Sequence, residues 1–458
     1  MPSPRPEELE PHELRPIHPQ PQPFDSSPDF EPHGPQASAL PPADSGHRAW
    51  LFLAVCFVLE AVVWGFPYSY GVFQDHYART APFSRDGKGL AAIGTTATGI
   101  MYFASPAVIG FVGVFPQRVR VVSGVGLGVM LGGIVGASFA TAVWQLILTQ
   151  GVLYGVGGSL LYLPAVAYLD EWFVRRKGLA FGIMWAGTGT SGMVVPLLMT
   201  WLLEDYGFRT ALRIWAVISA VLLLPAVFFL RSRLPVQRPA AGGGFRRRVD
   251  LSFCTTTPFL VLQLGNILQS LGYFIPSIYL PSYAKAIGLS NKASSLTLSL
   301  VNAAAVVGNI AVGALVDRVD INTAILIPSV AATLACFLVW GLSTSLAPLY
   351  VFALMYGASA GGYSATWPGI TMAIRERCRD ENGVSRVDSG MVVALLAAGK
   401  GIGSVASGPL SELLLEADTW RGRAGGAFGT GYGSLVVWSG ITMFLGGTSW
   451  FVKKMGRI

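Results

Sequence analysis

Charge is scarce in this sequence. Asp, Glu, Lys and Arg make up 12% of its 458 residues, where a soluble domain carries about 25%, so a water-facing shell of ordinary extent cannot be built. The four cysteines, Cys56, Cys254, Cys336 and Cys378, stand far apart with no CxxC pair. That spacing argues against both a zinc site and a disulfide framework, and no metal site is expected. There is no N-x-S/T acceptor for an N-linked glycan.

Apolar residues, by contrast, are abundant. They make up 52% of the chain, and there are 55 glycines, a residue enriched in membrane helices. The net charge is +7. Its basic residues lie in short loops between apolar runs rather than on one polar face, which argues against a nucleic-acid partner. Thirteen of the 29 prolines precede Ala43. Such a segment buries too little apolar surface to offset its ordering entropy, so residues 1–47 are expected to form a disordered cytoplasmic tail.

Twelve runs are long enough to cross a bilayer, which takes about 20 helical residues. They lie near 49–73, 89–113, 121–141, 143–169, 178–203, 210–230, 257–283, 293–316, 322–342, 347–373, 388–415 and 431–452. The expected fold is all-α and integral to the membrane, with two pseudo-symmetric six-helix bundles over 48–231 and 257–458 and a basic cytoplasmic linker over 232–256. The very short third-to-fourth and ninth-to-tenth connections call for antiparallel hairpins. With a cytoplasmic N-terminus, 22 of the 32 Lys and Arg residues fall on the cytoplasmic side and 9 on the other. Both termini are therefore expected in the cytoplasm.

The chain also repeats itself. Gly113-Val-Phe-Pro-Gln117-Arg118 has a partner in Gly313-Ala-Leu-Val-Asp317-Arg318, and Gly157-Gly158 precedes Pro164 as Gly361-Gly362 precedes Pro368. Duplication on this scale in an apolar chain indicates a solute transporter.

Four stretches resemble the monocarboxylate-porter-like family of the major facilitator superfamily, especially its fungal branch. They are Trp64-Gly-Phe-Pro-Tyr68, the junction from Glu171-Trp-Phe-Val-Arg175-Arg-Lys-Gly to Gly192, Gly272-Tyr-Phe-Ile-Pro276, and Leu298-Ser-Leu-Val-Asn302 running to Asp317-Arg318. The resemblance covers about 48–455. It implies the major facilitator fold, alternating access, a site between the halves and a small-molecule substrate. It also implies gating roles for Arg118, Asp170, Arg175, Arg176, Asp317 and Arg318. Asp170 and Glu171 stand close enough to pair with Arg175, Arg176 and Lys177. Gln117 replaces the family's usual Asp, so the gate contact of the first half is expected to be weak.

Family transporters of small monocarboxylates carry a Lys where Tyr68 stands, and an Asp and an Arg where Ala305 and Asn309 stand. Their carboxylate and proton machinery is therefore missing here, and a larger, hydrophobic or weakly polar solute fits better. Candidate substrate-binding residues are Glu60, Tyr68, Gln263, Asn266, Tyr273, Asn302, Asn309 and Trp367, with Gln269 and Tyr363 beside them. Gln263, Asn266 and Gln269 lie loosely on one helix face. Glu60 and Lys400 are ionisable groups near mid-span, where burial costs roughly 2.5–3.5 kcal/mol on insertion scales. Glu60 is a candidate for proton coupling or for pairing with a cationic group of the substrate, with a structural polar network as the other reading. Lys400 ranks behind it because the eleventh helix is usually not a main cavity helix in the fold that the resemblance implies.

Two enzyme-like patterns fail on context. Gly187-Thr-Gly-Thr-Ser-Gly192 lacks the strand that a dinucleotide site needs, and Gly357-Ala-Ser-Ala-Gly361 lacks the strand-to-helix turn of a nucleophile elbow. Both read as small-residue seams between helices. No catalytic residue and no cofactor is expected. The favoured function is export of a hydrophobic secondary metabolite at the cell membrane. Uptake of a larger monocarboxylate, vitamin or other nutrient is the alternative, and a non-transporting sensor on a transporter fold is the third.

Overall fold

Apolar runs with internal glycine and proline fold into helices that satisfy every backbone group within the segment, as a bilayer requires. The computed structural model describes residues 41–85, 89–234, 250–380, 385, 387–417 and 421–456, and these are helical throughout, apart from short connections. The expected tail, up to residue 40, and most of the expected linker, 235–249, lie outside the described residues.

Helix α1 (His47–Tyr68, continued by Tyr70–Arg79) is broken at Ser69, just after Pro67. Helix α2 (Leu90–Phe103 and Ser105–Val114) breaks just before Pro106. Helix α3 is Val119–Ala137, and α4 runs from Val143 to Trp172 with a π segment at Ile147–Leu153. Helices α5 and α6 are the arms of the 53-residue stretch Lys177–Phe229 on either side of Gly207, whose φ of 73° lies outside the helical region. In the second half, α7 is Thr257–Ala286, α8 Asn291–Val316 and α9 Ile321–Trp340. Helix α10 comes in three pieces, Leu346–Ala360, the 3-10 stretch Gly361–Thr366 and Trp367–Arg377. Helix α11 is Ser389–Ala417, and α12 spans Gly433–Lys454.

Among the described residues ten stretches are by themselves long and apolar enough to cross a membrane. The joint at Gly207 and the three-piece α10 make the described helices consistent with twelve crossings. Large apolar side chains stay exposed on the outer surface, Phe228 at 70%, Val121 at 66% and Leu413 at 63%. Water would not tolerate so many of these, whereas lipid covers them.

The sequence repeat does not produce the same backbone twice. Around Gly157–Pro164 the chain stays α-helical, but Gly361–Thr366, ahead of Pro368, tightens to 3-10. A Cβ on Gly361 would sit 2.7 Å from the Ala305 methyl, so α10 presses directly on α8 there. The tighter turn carries Ser364 and Trp367 into the centre of the molecule.

Both ends of the described stretch are tied into one face, called here the terminus face. Lys453, at the end of α12, pairs with Asp320 at 2.6 Å. At the other end Asp44 takes φ 58°, a left-handed conformation that Asp tolerates better than most residues. Its carboxylate accepts from the backbone N–H groups of Val174, Arg175 and Arg176 at 2.9–3.0 Å, in the loop joining α4 to α5. Replacing Asp44 by Ala is expected to lower stability by about 1–2 kcal/mol, as for the loss of a helix cap. Thermal unfolding in detergent reads this, and an unchanged midpoint would show that the latch carries no stability.

Candidate functional site

The two halves meet along two seams. In one, α5 packs on α8 with backbone against backbone: a Cβ on Gly178 would strike the carbonyl oxygen of Gly313, and a Cβ on Gly313 that of Gly178. In the other, α2 meets α11, with Gly401 against Tyr102 and Gly390 against Ile109. At the terminus face Asp317, following α8, reaches across and accepts from the N–H groups of Gly178 and Leu179 at 2.7 and 2.8 Å. Its carboxylate thereby caps the start of α5 from the opposite half.

The other candidate gating residues divide. Lys177 donates to Asp170 at 2.5 Å, but Glu171 turns away to accept from Ser232 at 2.5 Å and from the Arg233 N–H at 3.0 Å. Arg175 and Arg176 contribute backbone N–H groups to Asp44, and their side chains are exposed, so the expected ion pairs with Asp170 and Glu171 do not form. Gln117, Arg118 and Arg318 are exposed too, with the Arg118 guanidinium 5.7 Å from the centre of the Phe115 ring. The second copy of the repeat thus makes a contact between the halves, through Gly313 and Asp317.

Burial pushes the Asp317 carboxyl above its ordinary value, and the N–H groups of Leu179 and Gly178 offset only part of that. Burial acts the same way on Asp44, but its N–H donors outweigh it and hold that carboxyl below the usual range. As pH falls, the Asp317 cap is therefore lost first, while the Asp44 latch survives until the pH drops below the ordinary Asp value of 3.8.

Between the seams lies a cavity of about 510 Å³. Its lining runs from Ile109, Val166 and Val393 on the terminus side to Gly71, Gln74 and Pro281 towards the other. Gly71 and Gln74 are exposed, so the cavity opens away from the terminus face. Glu60, Tyr68, Tyr273, Asn302, Asn309 and Trp367 all line it, and Lys400 joins them.

Each half supplies one charge. Glu60 is 2% exposed. The Thr188 hydroxyl donates to its Oε1, the Tyr162 hydroxyl faces it, and Oε2 has no partner in hydrogen-bonding geometry. Lys400 is 8% exposed, and its Nζ donates to Ser364 Oγ at 2.6 Å. The ammonium lies 4.9 Å from the Tyr273 ring centre and 5.8 Å from that of Trp367. Such cation–π contacts contribute about 0.5–2 kcal/mol each. Among the described residues no ion pair joins Glu60 to Lys400.

Aromatic rings complete the wall. Tyr68 stacks on Phe274 with centroids 6.0 Å apart and its hydroxyl is 3.3 Å from that of Tyr102. Trp185 meets Trp367 edge to face at 5.2 Å. Asn302 donates to the Gly192 carbonyl at 3.2 Å, bridging α8 and α5. Asn309 donates back to Ala305 at 3.0 Å and leaves Oδ1 buried without a partner.

Gln263 and Asn266 do not reach the cavity. Their amides donate to the Leu395 and Leu396 carbonyls of α11 at 2.8 and 2.7 Å. Gln269 donates to the Ala360 carbonyl at 3.4 Å, and Tyr363 to that of Gly446 at 3.2 Å. Asn266 still acts at one remove, because its Oδ1 accepts from Trp367 Nε1 at 3.1 Å and so orients that ring. The groups that sequence reasoning missed are Thr188, Tyr162 and Ser364. Thr188 was in view only as part of a small-residue seam, and nothing local marks the other two.

The Major Facilitator Superfamily model matches residues 53–385. The MFS-type transporter hasB of Aspergillus fumigatus is 31% identical over 418 residues, 89% of each chain. The agnestins efflux protein AgnL12 of Paecilomyces divaricatus is 28% identical over 413 residues, 89% of this chain and 88% of the other. Among solved structures, the proton:xylose symporter XylE bound to 6-bromo-6-deoxy-D-glucose superposes with a TM-score of 0.64 at 12% identity, covering 89% of this chain and 95% of that one.

Proposed function

This chain belongs to the Major Facilitator Superfamily, a family of non-enzymatic, multi-pass membrane transporters, and on that premise we propose that it exports a hydrophobic secondary metabolite by alternating access. The observation that supports this best is the aromatic cavity between the halves, with one buried charge from each. A hydrophobic site with a few placed polar groups suits a large apolar solute. The name of AgnL12 as an efflux protein points the same way. The four resembling stretches support a place in the monocarboxylate-porter-like branch, and the excess of Lys and Arg supports cytoplasmic termini at the cell membrane. The bundles over 48–231 and 257–458 then move against one another around the cavity. Glu60, Tyr68, Tyr273, Asn302, Asn309 and Trp367 contact the solute, Gln263 and Asn266 support the wall from behind, and the Asp317 cap on α5 closes the terminus face.

Uptake is the second reading. It is favoured by the cavity's opening away from the terminus face, which is the outside if the termini are cytoplasmic. A deletion strain separates the two. Under export, loss of the gene raises the ratio of metabolite in cells to metabolite in medium. A fall in that ratio, or a growth defect on one supplied nutrient, would overturn export in favour of uptake.

A further inference from the structure

The Lys400 ammonium has three N–H donors. Ser364 takes one, and no other acceptor bonds it among the described residues. The carboxylate that shares its cavity, Glu60, is held in the other half by Thr188. The remaining two donors thus belong to a buried cation that lines open space. A solute with no acceptor at that point would strip water from them and give nothing back, at a cost of about 1–3 kcal/mol for each unsatisfied group. A neutral carbonyl would satisfy the donors while leaving the buried charge uncompensated. An anion would supply both acceptors and also neutralise the buried ammonium, a compensation that a neutral acceptor lacks.

We propose that Lys400 is the docking point for an anionic group, and that the transported solute is a hydrophobic organic acid with an aromatic body. This rests on reading the cavity as the solute's path. It assigns the solute its one ionised end, a carboxylate or an acidic phenolate, in place of an uncharged cargo. The surroundings fit the rest of the molecule. Tyr273 and Trp367 flank the ammonium with ring faces, Trp185 backs Trp367, and Tyr68 with Phe274 continues the aromatic wall towards the opening. Asn309, where the family's helix-8 Arg would stand, turns its amide back on its own helix. The cationic role has thus moved from α8 to α11, to a position flanked by rings.

The test compares 2-naphthoate with its neutral isostere 2-naphthamide on the full chain in lipid nanodiscs at pH 7.5, read by quenching of tryptophan fluorescence. Naphthoate is expected to bind about tenfold tighter or more, as charge-assisted bonds at a dehydrated cation imply. Lys400→Gln should bring the two probes to parity while still binding naphthamide, which also shows that the variant is folded. Lys400→Arg should keep the preference. Equal binding of both probes to the unaltered chain, a preference that survives in Lys400→Gln, or no binding of either probe would each overturn the proposal. Proteoliposome flux with the same probes separates the premises. Preference in binding with no flux removes the transport reading and keeps the site, whereas flux of both probes without preference keeps transport and removes the site.

Discussion

Replacing Glu60 by Gln is expected to abolish accumulation driven by a pH difference and to leave counterflow exchange of the solute intact. A one-unit pH difference supplies about 1.36 kcal/mol per proton, so accumulation in vesicles is expected to fall from as much as tenfold to none. The variant keeps an amide able to accept from Thr188, so the cavity wall survives and exchange continues. The geometry sets Glu60 apart for this role. It is a carboxyl with one oxygen unpartnered, on the lining of a cavity that the proposed alternating access would expose to each side in turn. The groups that face it are the hydroxyls of Tyr162 and Thr188 and, through space, Lys400, with Cys56 one turn away on α1. An anion on Lys400 and an ionised Glu60 repel across the same cavity, so solute and proton would bind together, a symport coupling that an inward proton gradient drives in the direction of the uptake reading. A pH dependence that persists in Glu60→Gln would sink this assignment.

Widening the seam gives the second large effect. Gly313→Val places a side chain against the carbonyl oxygen of Gly178, where neither backbone can yield. Overpacking of this kind costs about 1–3 kcal/mol, and the strain falls only on the state in which α5 and α8 touch at the terminus face. The population of that state is expected to drop about 5- to 150-fold relative to its alternative. Spin labels at Val174 and Val319, 51% and 38% exposed, flank the seam and report its width. A shift to longer distances is expected, and an unchanged distribution would show that the seam does not gate. Asp317→Asn keeps the side-chain volume and weakens only the cap, so its shift should be smaller and in the same direction.

Much of the scaffold was legible because lipid imposes a simple rule. A span must be long, apolar and internally bonded, and each run that obeys the rule became a helix, down to the short α3–α4 turn. The site was harder to read. Gln263, Asn266 and Gln269 do share a helix face, as their spacing implied, but periodicity cannot say whether a polar face meets a cavity or a neighbouring helix. Here Gln263 and Asn266 meet α11 and Gln269 meets α10. Lys400 was visible as a mid-span charge and ranked low because of the helix it sits on. Its importance comes from the 3-10 turn of α10, which brings Ser364 and Trp367 to it from 36 and 33 residues away in sequence. The Arg175-Arg176 pair shows a third limit. Its charges drew attention, while its backbone N–H groups make the contact.

That loop has a practical side. The N–H groups of residues 174, 175 and 176 are held by Asp44 and those of 178 and 179 by Asp317, so the chain's leading segment and its second half grip adjacent stretches of one strand of backbone. Where the leading segment is cut therefore decides whether this loop keeps its grip. A truncated form that starts at Pro41 keeps this grip, and one that starts at Ser45 releases it. An N-terminal tag joined at the second point would leave residues 174–176 without their Asp44 partner, next to the stretch that Asp317 holds.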